Sequence, residues 1–380
     1  MSDDPFFIDG ATLEAIRRTA RRAEDGWGRR QQITDGLTAL HGLVARLVAA
    51  GRALDESMHR AYREQSIREP VYIVANPRSG TTFLHRLLSS DRRFTHLKLY
   101  ETLFPSVSLL NAIRGAGELD DRLGGVLQTA VDRIEEEAFA GWESIHRVAF
   151  DEPEEDEGLF VLMLLSPAVY LLCPEVADVP RPRAIDDLDG ETRRQVVEYY
   201  RDSLKRILHA RDAQGRFLGK TVLAPGRIRT LRRAVPDASF VHLVRHPYRA
   251  IPSFVSMFRR PWRTHSPDIE DDDPRTRRLG DLAIDYYRRM YEARDEIPDD
   301  SMTTFRFDRM VDDPLGTVEA IYDWLGLTST DETRSRMVDR IERRRREGRD
   351  HDYSLDQFGL RRGEIYGRLK DVFEEYDFEP

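Results

Sequence analysis

The chain of 380 residues holds a single cysteine, Cys173. One thiol closes no internal disulfide and furnishes no multi-cysteine zinc site, so disulfide-stapled and zinc-ribbon classes are excluded. Lysine is almost as scarce: of 59 basic residues only Lys98, Lys205, Lys220 and Lys370 are lysine. Arginine is the default cation here, the usage a GC-rich genome produces, so a lysine at a candidate site is informative. A basic amino-terminal region leading into an apolar core is also lacking. Met1–Gly10 is acidic, no signal peptide is expected, and a cytoplasmic protein is the expectation. The longest apolar run, Leu159–Cys173, falls short of the ~20 residues of a membrane helix. It predicts a buried helix, with an interfacial patch as the alternative and no transmembrane segment. Excess positive charge is missing too: the net charge of −9 argues against bulk nucleic-acid binding.

What is present is enough for a large core under a charged surface. Hydrophobic residues make up 40% and charged residues 33%, against about 25% charged in ordinary domains. Residues 1–69 read as a helical amino-terminal extension, with Leu37, Leu40, Val44, Leu47 and Val48 at helical spacing. Pro70 ends it, and residues 70–380 form the main domain. Val71–Ala75, Arg216–Val222, Ser239–Val244 and Thr303–Phe307 read as strands, each followed by a turn and a helical pattern. A helical insertion occupies about 105–215, and a helix runs from Pro314 to Trp324. Short strands separated by helices predict an α/β fold with a central parallel sheet.

The strongest motif is VYIVANPRSGTTFL, Val71–Leu84. A strand leads into a tight loop with Ser79 and Gly80, and a helix opens at Thr81. First-turn N–H groups lack intrahelical partners and the helix dipole adds positive potential, which makes an anion site, most naturally for phosphate. Gly80 allows close backbone approach, and the Thr81 and Thr82 hydroxyls add donors. The nucleotide-triphosphate loop GxxxxGK[ST] does not fit: its leading Gly is missing and Thr81 stands where its Lys belongs. Gly215–Thr221 (GRFLGKT) has the GKT ending, but Gly215 is one residue too close to Gly219 and the segment reads as a strand.

PRSGTT, Pro77–Thr82, after a strand resembles the 5′-phosphosulfate loop of sulfotransferases that use 3′-phosphoadenosine 5′-phosphosulfate (PAPS). A second signature of that family is an Arg at a strand end and a Ser eight residues later, which hold the 3′-phosphate. FVHLVRHPYRAIPS carries it as Arg245 and Ser253. The chain is most similar to bacterial sulfotransferases with a helical amino-terminal segment. Their further elements correspond here to Glu101, Pro153–Asp156, Lys220, Phe307–Pro314 (FDRMVDDP) and His351–Leu360 (HDYSLDQFGL), so the resemblance spans about residues 70–360. It implies a P-loop-like three-layer fold, PAPS as donor, adenosine 3′,5′-bisphosphate as product and no metal. Phe307 replaces a Tyr that in the family often approaches the adenine, keeping a ring but losing a hydroxyl.

Sulfuryl transfer asks for positive groups at the leaving phosphate, and for a base when the acceptor is a hydroxyl. Arg78 and Lys220 are the cations. Glu101, in LYETLFP and 23 residues after Arg78, is the preferred base, because a Glu after the first helix has this role in related tyrosine- and saccharide-directed enzymes. His146 is the second candidate base. Glu154 and Glu155 are candidates for orienting a base or binding a basic group. Arg249 shares the helix face of Ser253. The Arg343–Arg346 run is either a solvated face or an anion-binding loop, and Arg349 is a candidate phosphate contact. The insertion, with Leu159–Cys173, is expected to shape the acceptor pocket. Its apolar content suits a lipid, polyketide or phenol, while saccharides and peptides stay open, as does a homo-oligomer. Two other classes remain: a P-loop kinase or NTPase, which needs a Lys in place of Thr81, and a non-catalytic nucleotide-binding module, against which Glu101 and Lys220 speak.

Overall fold

The computed structural model describes residues 4–21, 27–123, 153–346 and 353–380. His146, Arg349 and His351 lie outside the described residues.

Five strands form one parallel sheet: β1 (Val71–Ala75), β2 (Phe94–His96), β3 (Arg216–Thr221), β4 (Ser239–Val244) and β5 (Met302–Arg306). The order across the sheet is β2-β3-β1-β4-β5. β1 is central, with Val71 opposite Leu218 of β3 on one side and Ser239 of β4 on the other. Its five residues are all buried, as a continuous apolar run in a covered parallel sheet requires. Alternate side chains feed opposite layers. Tyr72 and Val74 pack with Phe217, Phe240 and the helices α7 (Gly190–Ala210) and α8 (Ile228–Ala234). Val71, Ile73 and Ala75 pack with α3 (Thr81–Leu88), α12 (Pro314–Trp324) and α13 (Asp331–Arg346). A helix–sheet–helix, three-layer α/β fold results. A further apolar core joins α9 (Pro247–His265), α10 (Pro274–Arg294) and α14 (Arg362–Glu375).

The main strands and the helix ending at Trp324 stand where the sequence pattern puts them. β2 was not expected: three residues are too few to show an alternation. The segment after Gly215, Arg216–Thr221, is indeed strand, and Lys220 lies within it. The run Leu159–Cys173 is buried but is not one helix. It divides into α6 (Glu157–Leu162) and a 3₁₀ turn, Pro167–Leu171, with Leu164 between them at φ +60°. Pro167 disfavours helix at the residue before it and breaks the pattern. Leu159, Phe160, Met163, Leu165 and Tyr170 are fully interior, so the interfacial alternative does not hold for this run.

At the amino terminus, α1 (Gly10–Ala20) packs on the long α2 (Trp27–Met58). After β2 come α4 (Leu99–Leu103) and α5 (Val107–Leu123). Arg52 of α2 and Arg206 of α7 are fully buried and share the carboxylate of Asp202, while Arg206 also pairs with Asp55 at 2.7 Å. Removing one member of such a buried set leaves an uncompensated charge, a loss of about 3–5 kcal/mol. α2 is thereby fastened to α7.

Candidate active site

In open α/β sheets ligands bind beyond the carboxyl ends of the strands, where the strand order reverses. β1 is followed in sequence by strands on one side of it and then by β4 on the other. The loop after β1 and the first turn of α3 carry Pro77–Thr82, the end of β3 carries Lys220, Arg245 follows β4, and Phe307 opens α11 (Phe307–Asp312) after β5. The sequence motifs therefore converge on one edge of the sheet.

The loop is held by its own backbone. Arg78 and Gly80 both take left-handed conformations, at φ +69° and +82°. A Cβ on Gly80 would lie 2.6 Å from Met310 Cε and 2.8 Å from Phe307 Cε2, so glycine is required by conformation and by space. Gly80→Ala is expected to destabilise the fold by about 1–3 kcal/mol, read as a lowered melting temperature. An unchanged melting temperature would show that the loop adapts.

The two motifs clasp each other. Arg78 Nε donates to Ser253 Oγ at 3.1 Å, and Arg245 donates to the Arg78 carbonyl at 2.8 Å. The Arg245 guanidinium stacks on the Phe307 ring, 4.4 Å from its centroid, and its own carbonyl accepts from Tyr287 Oη at 2.6 Å. Burial, with Arg78 adding repulsion, lowers the Arg245 pKa from its usual value. A guanidinium stays charged even so, and this one is poised for an anion. Ser79 is fully buried and its hydroxyl has no hydrogen-bond partner among the described residues. Arg249 is exposed, and so are Arg343–Arg346 at the end of α13.

Lys220 is fully buried among acids. Its ammonium lies 3.3 Å from Glu154, 3.2 Å from Glu155 and 3.4 Å from the Thr82 hydroxyl. Burial works against its charge, but the two carboxylates outweigh this and hold its pKa above the ordinary lysine value. The acidic stretch is placed by Asp156. Its backbone N–H donates to the Lys220 carbonyl at 3.2 Å, and its carboxylate accepts from Thr221 at 2.6 Å and Tyr200 at 2.7 Å. Burial pushes the Asp156 pKa up to about 6. Sequence reasoning named Asp156 only as the end of the Pro153–Asp156 element, without a role, and missed Tyr287 and Met310.

Glu101 stands on α4, 1% exposed. Its carboxylate accepts the Lys98 N–H at 2.9 Å and pairs with Arg211 at 3.4 Å. Burial raises its pKa, with Arg211 opposing. It makes no hydrogen bond to Arg78 or Lys220. It adjoins them through the chain: Lys98 bridges to Pro153, and Glu154 donates its N–H to the Leu97 carbonyl at 2.9 Å. Glu101, Glu154, Glu155 and Lys220 thus share one end of the sheet.

The strand–loop–helix turn at Pro77–Thr82, the Arg245–Arg78–Ser253 contacts and the buried Lys220 with Glu154 and Glu155 thus lie together beyond the carboxyl ends of the strands. The sulfotransferase family profile matches residues 70–332, and the chain belongs to that family. It is 27% identical over 264 residues to the omega-hydroxy-beta-dihydromenaquinone-9 sulfotransferases Stf3 of Mycobacterium bovis and Mycobacterium tuberculosis, a stretch covering 68% of this chain and 63% of each relative. Among solved structures, sulfotransferase STF9 from Mycobacterium avium superposes with a TM-score of 0.75 at 20% identity, covering 98% of this chain and 93% of that one. STF1 from Mycobacterium tuberculosis gives 0.68 at 22% identity, covering 97% and 94%. These likenesses extend to the fold, which is P-loop-like in sulfotransferases.

Proposed function

We propose that this transferase moves a sulfuryl group from PAPS to a hydroxyl, or an amine, of a small acceptor in the bacterial cytoplasm. The observation that carries the reading is the clasp between Arg78 and both Ser253 and Arg245. Two signatures some 170 residues apart in sequence join in one double-phosphate cradle. The orphaned Ser79 hydroxyl and the left-handed Gly80 fit a phosphate group in the loop. In this reading Arg78, Ser79, Gly80, Thr81, Thr82 and Lys220 hold the 5′-phosphosulfate end, and Arg245 with Ser253 holds the 3′-phosphate. The Phe307 ring backs Arg245. The helical segment 1–69 precedes the sulfotransferase domain, 70–380.

PAPS supplies a sulfuryl group on a phosphate leaving group. Arg78 and Lys220 stabilise the charge that develops on that phosphate. Glu101 takes the proton from the acceptor hydroxyl as attack proceeds in line, with His146 as the alternative base. Positioning and electrostatics carry the rate, as in phosphoryl transfer. For the acceptor we favour a hydroxyl on an apolar or lipid-like molecule. The support is that the Stf3 relatives are omega-hydroxy-beta-dihydromenaquinone-9 sulfotransferases; a saccharide is the second choice. The kinase or NTPase reading is disfavoured by Thr81 in the lysine position.

Calorimetric titration tests the cofactor. Adenosine 3′,5′-bisphosphate is expected to bind without metal, and ATP with Mg²⁺ is not. Arg245→Ala is expected to weaken the bisphosphate by about 10–100-fold and adenosine 5′-phosphate far less. Equal losses for the two nucleotides would remove Arg245 from the 3′-phosphate site. Binding of ATP alone would overturn the reading altogether.

A further inference from the structure

Helix α2 buries much of its charge: Arg30, Arg52 and Asp55 point into the protein, while Asp35 and Arg46 are exposed. Arg30 donates to Ser266 Oγ at 2.6 Å and pairs with Asp268 at 2.9 Å. Arg52 is bound by Asp4 and Asp202. Asp55, also buried, accepts the N–H groups of Val107 and Ser108 and pairs with Arg206. The outward face carries Leu40, Leu43, Leu47, Leu54 and Met58, each between 47% and 69% exposed. Their spacing sets them on one stripe of the helix. Gly36, Ala39, Ala50 and Ala53 lie exposed among them, and Arg46 is the one exposed charged residue between Gly36 and Met58. At 1.5 Å per residue the stripe is roughly 33 Å long. Ile113 on the neighbouring α5 is exposed as well.

A helix on a water-facing surface has the opposite arrangement, apolar inward and charged outward. Paired ionisable groups turned inward, with an apolar face outward, is the pattern of a helix that meets lipid. We propose that the outward face of α2 seats on the surface of a lipid bilayer. By length and composition α2 alone among the described residues is apolar enough to cross a membrane. Its buried Arg52 and Asp55 lock it against α7 and α5, so it lies on the bilayer and does not cross it.

Charge selects the bilayer over a second copy of the chain. A two-fold pairing along the stripe has its axis near the midpoint, Leu47, and sets Arg46 against Arg46. No exposed carboxylate lies between Gly36 and Met58 to balance the two guanidiniums. At a bilayer the Arg46 side chain extends to the headgroup phosphates while its stem stays in the apolar layer. An enzyme seated this way meets acceptors dissolved in the membrane. The seating itself does not depend on the sulfuryl-transfer reading, and its test needs no turnover.

Flotation with vesicles of equimolar phosphatidylcholine and phosphatidylglycerol is the experiment. The protein is expected to float with the vesicles. Leu43→Glu combined with Leu47→Glu is expected to reduce the vesicle-bound fraction at least about tenfold, with the bisphosphate affinity and circular dichroism unchanged. Leu54→Gln with Met58→Gln, at the other end of the stripe, provides an independent second variant with a reduction in the same direction. Wild-type protein that stays at the bottom of the gradient overturns the proposal, and so do variants that float equally well. A concentration-dependent dimer in ultracentrifugation, abolished by the Glu variant in the absence of vesicle binding, reassigns the stripe to a second copy.

Discussion

Glu101→Gln is expected to lower turnover at least about 100-fold and to leave adenosine 3′,5′-bisphosphate affinity unchanged. The amide keeps the shape of the carboxylate and can still accept the Lys98 N–H, so α4 keeps its cap. It cannot take a proton. The pH profile supplies a second readout. A general base must be ionised, so turnover falls as pH drops through its pKa. Burial raises that pKa for Glu101, so the acid limb belongs at a higher pH than an exposed glutamate gives, and the variant should lack it. Turnover close to wild type, or an acid limb that survives the substitution, would transfer the role to another group. His146, the alternative base, would then be the next to replace.

Lys220→Met is the other substitution with a large expected effect. The methionine fills most of the lysine volume but carries no charge. Loss of a fixed cation at the leaving phosphate is expected to cut turnover by about 10²–10³-fold. The same change strands Glu154 and Glu155 next to each other, which lay 3.3 and 3.2 Å from the ammonium. A fall in melting temperature is therefore expected as well. Adding Glu154→Gln and Glu155→Gln separates the two effects. Stability should recover in the triple variant while turnover stays low. Recovery of both would mean that Lys220 serves only to neutralise the acidic pair and does not act on the transferred group.

The fold was legible wherever a residue pattern is local. VYIVA is a strand because five bulky apolar residues between Pro70 and a turn cluster have few other homes, and the same logic located β4 and the helix ending at Trp324. β2 escaped because its length hides any period. The Leu159–Cys173 run was correctly placed inside but wrongly drawn as one helix, since composition measures burial and says little about where Pro167 breaks the backbone. Helix α2 was legible as a helix, yet its periodic leucines do not reveal which face they occupy. The charged residues decide that: Arg52 and Asp55 have their partners on α7 and α5, so the leucines are left outside.

The sequence by itself determined the α/β class, the strand–turn–helix at Pro77–Thr82 and the spacing of Arg245 and Ser253 across one helix, because each depends on residue types at short fixed spacings. Tertiary structure alone decided that the two anchors clasp, that Lys220 is enclosed by Glu154 and Glu155 with Asp156 placing them, and that Glu101 turns toward Lys98 and Arg211. Those contacts join residues far apart in the chain. Their geometry follows from sheet order, and sheet order is settled by how buried faces pack together, which no local pattern encodes.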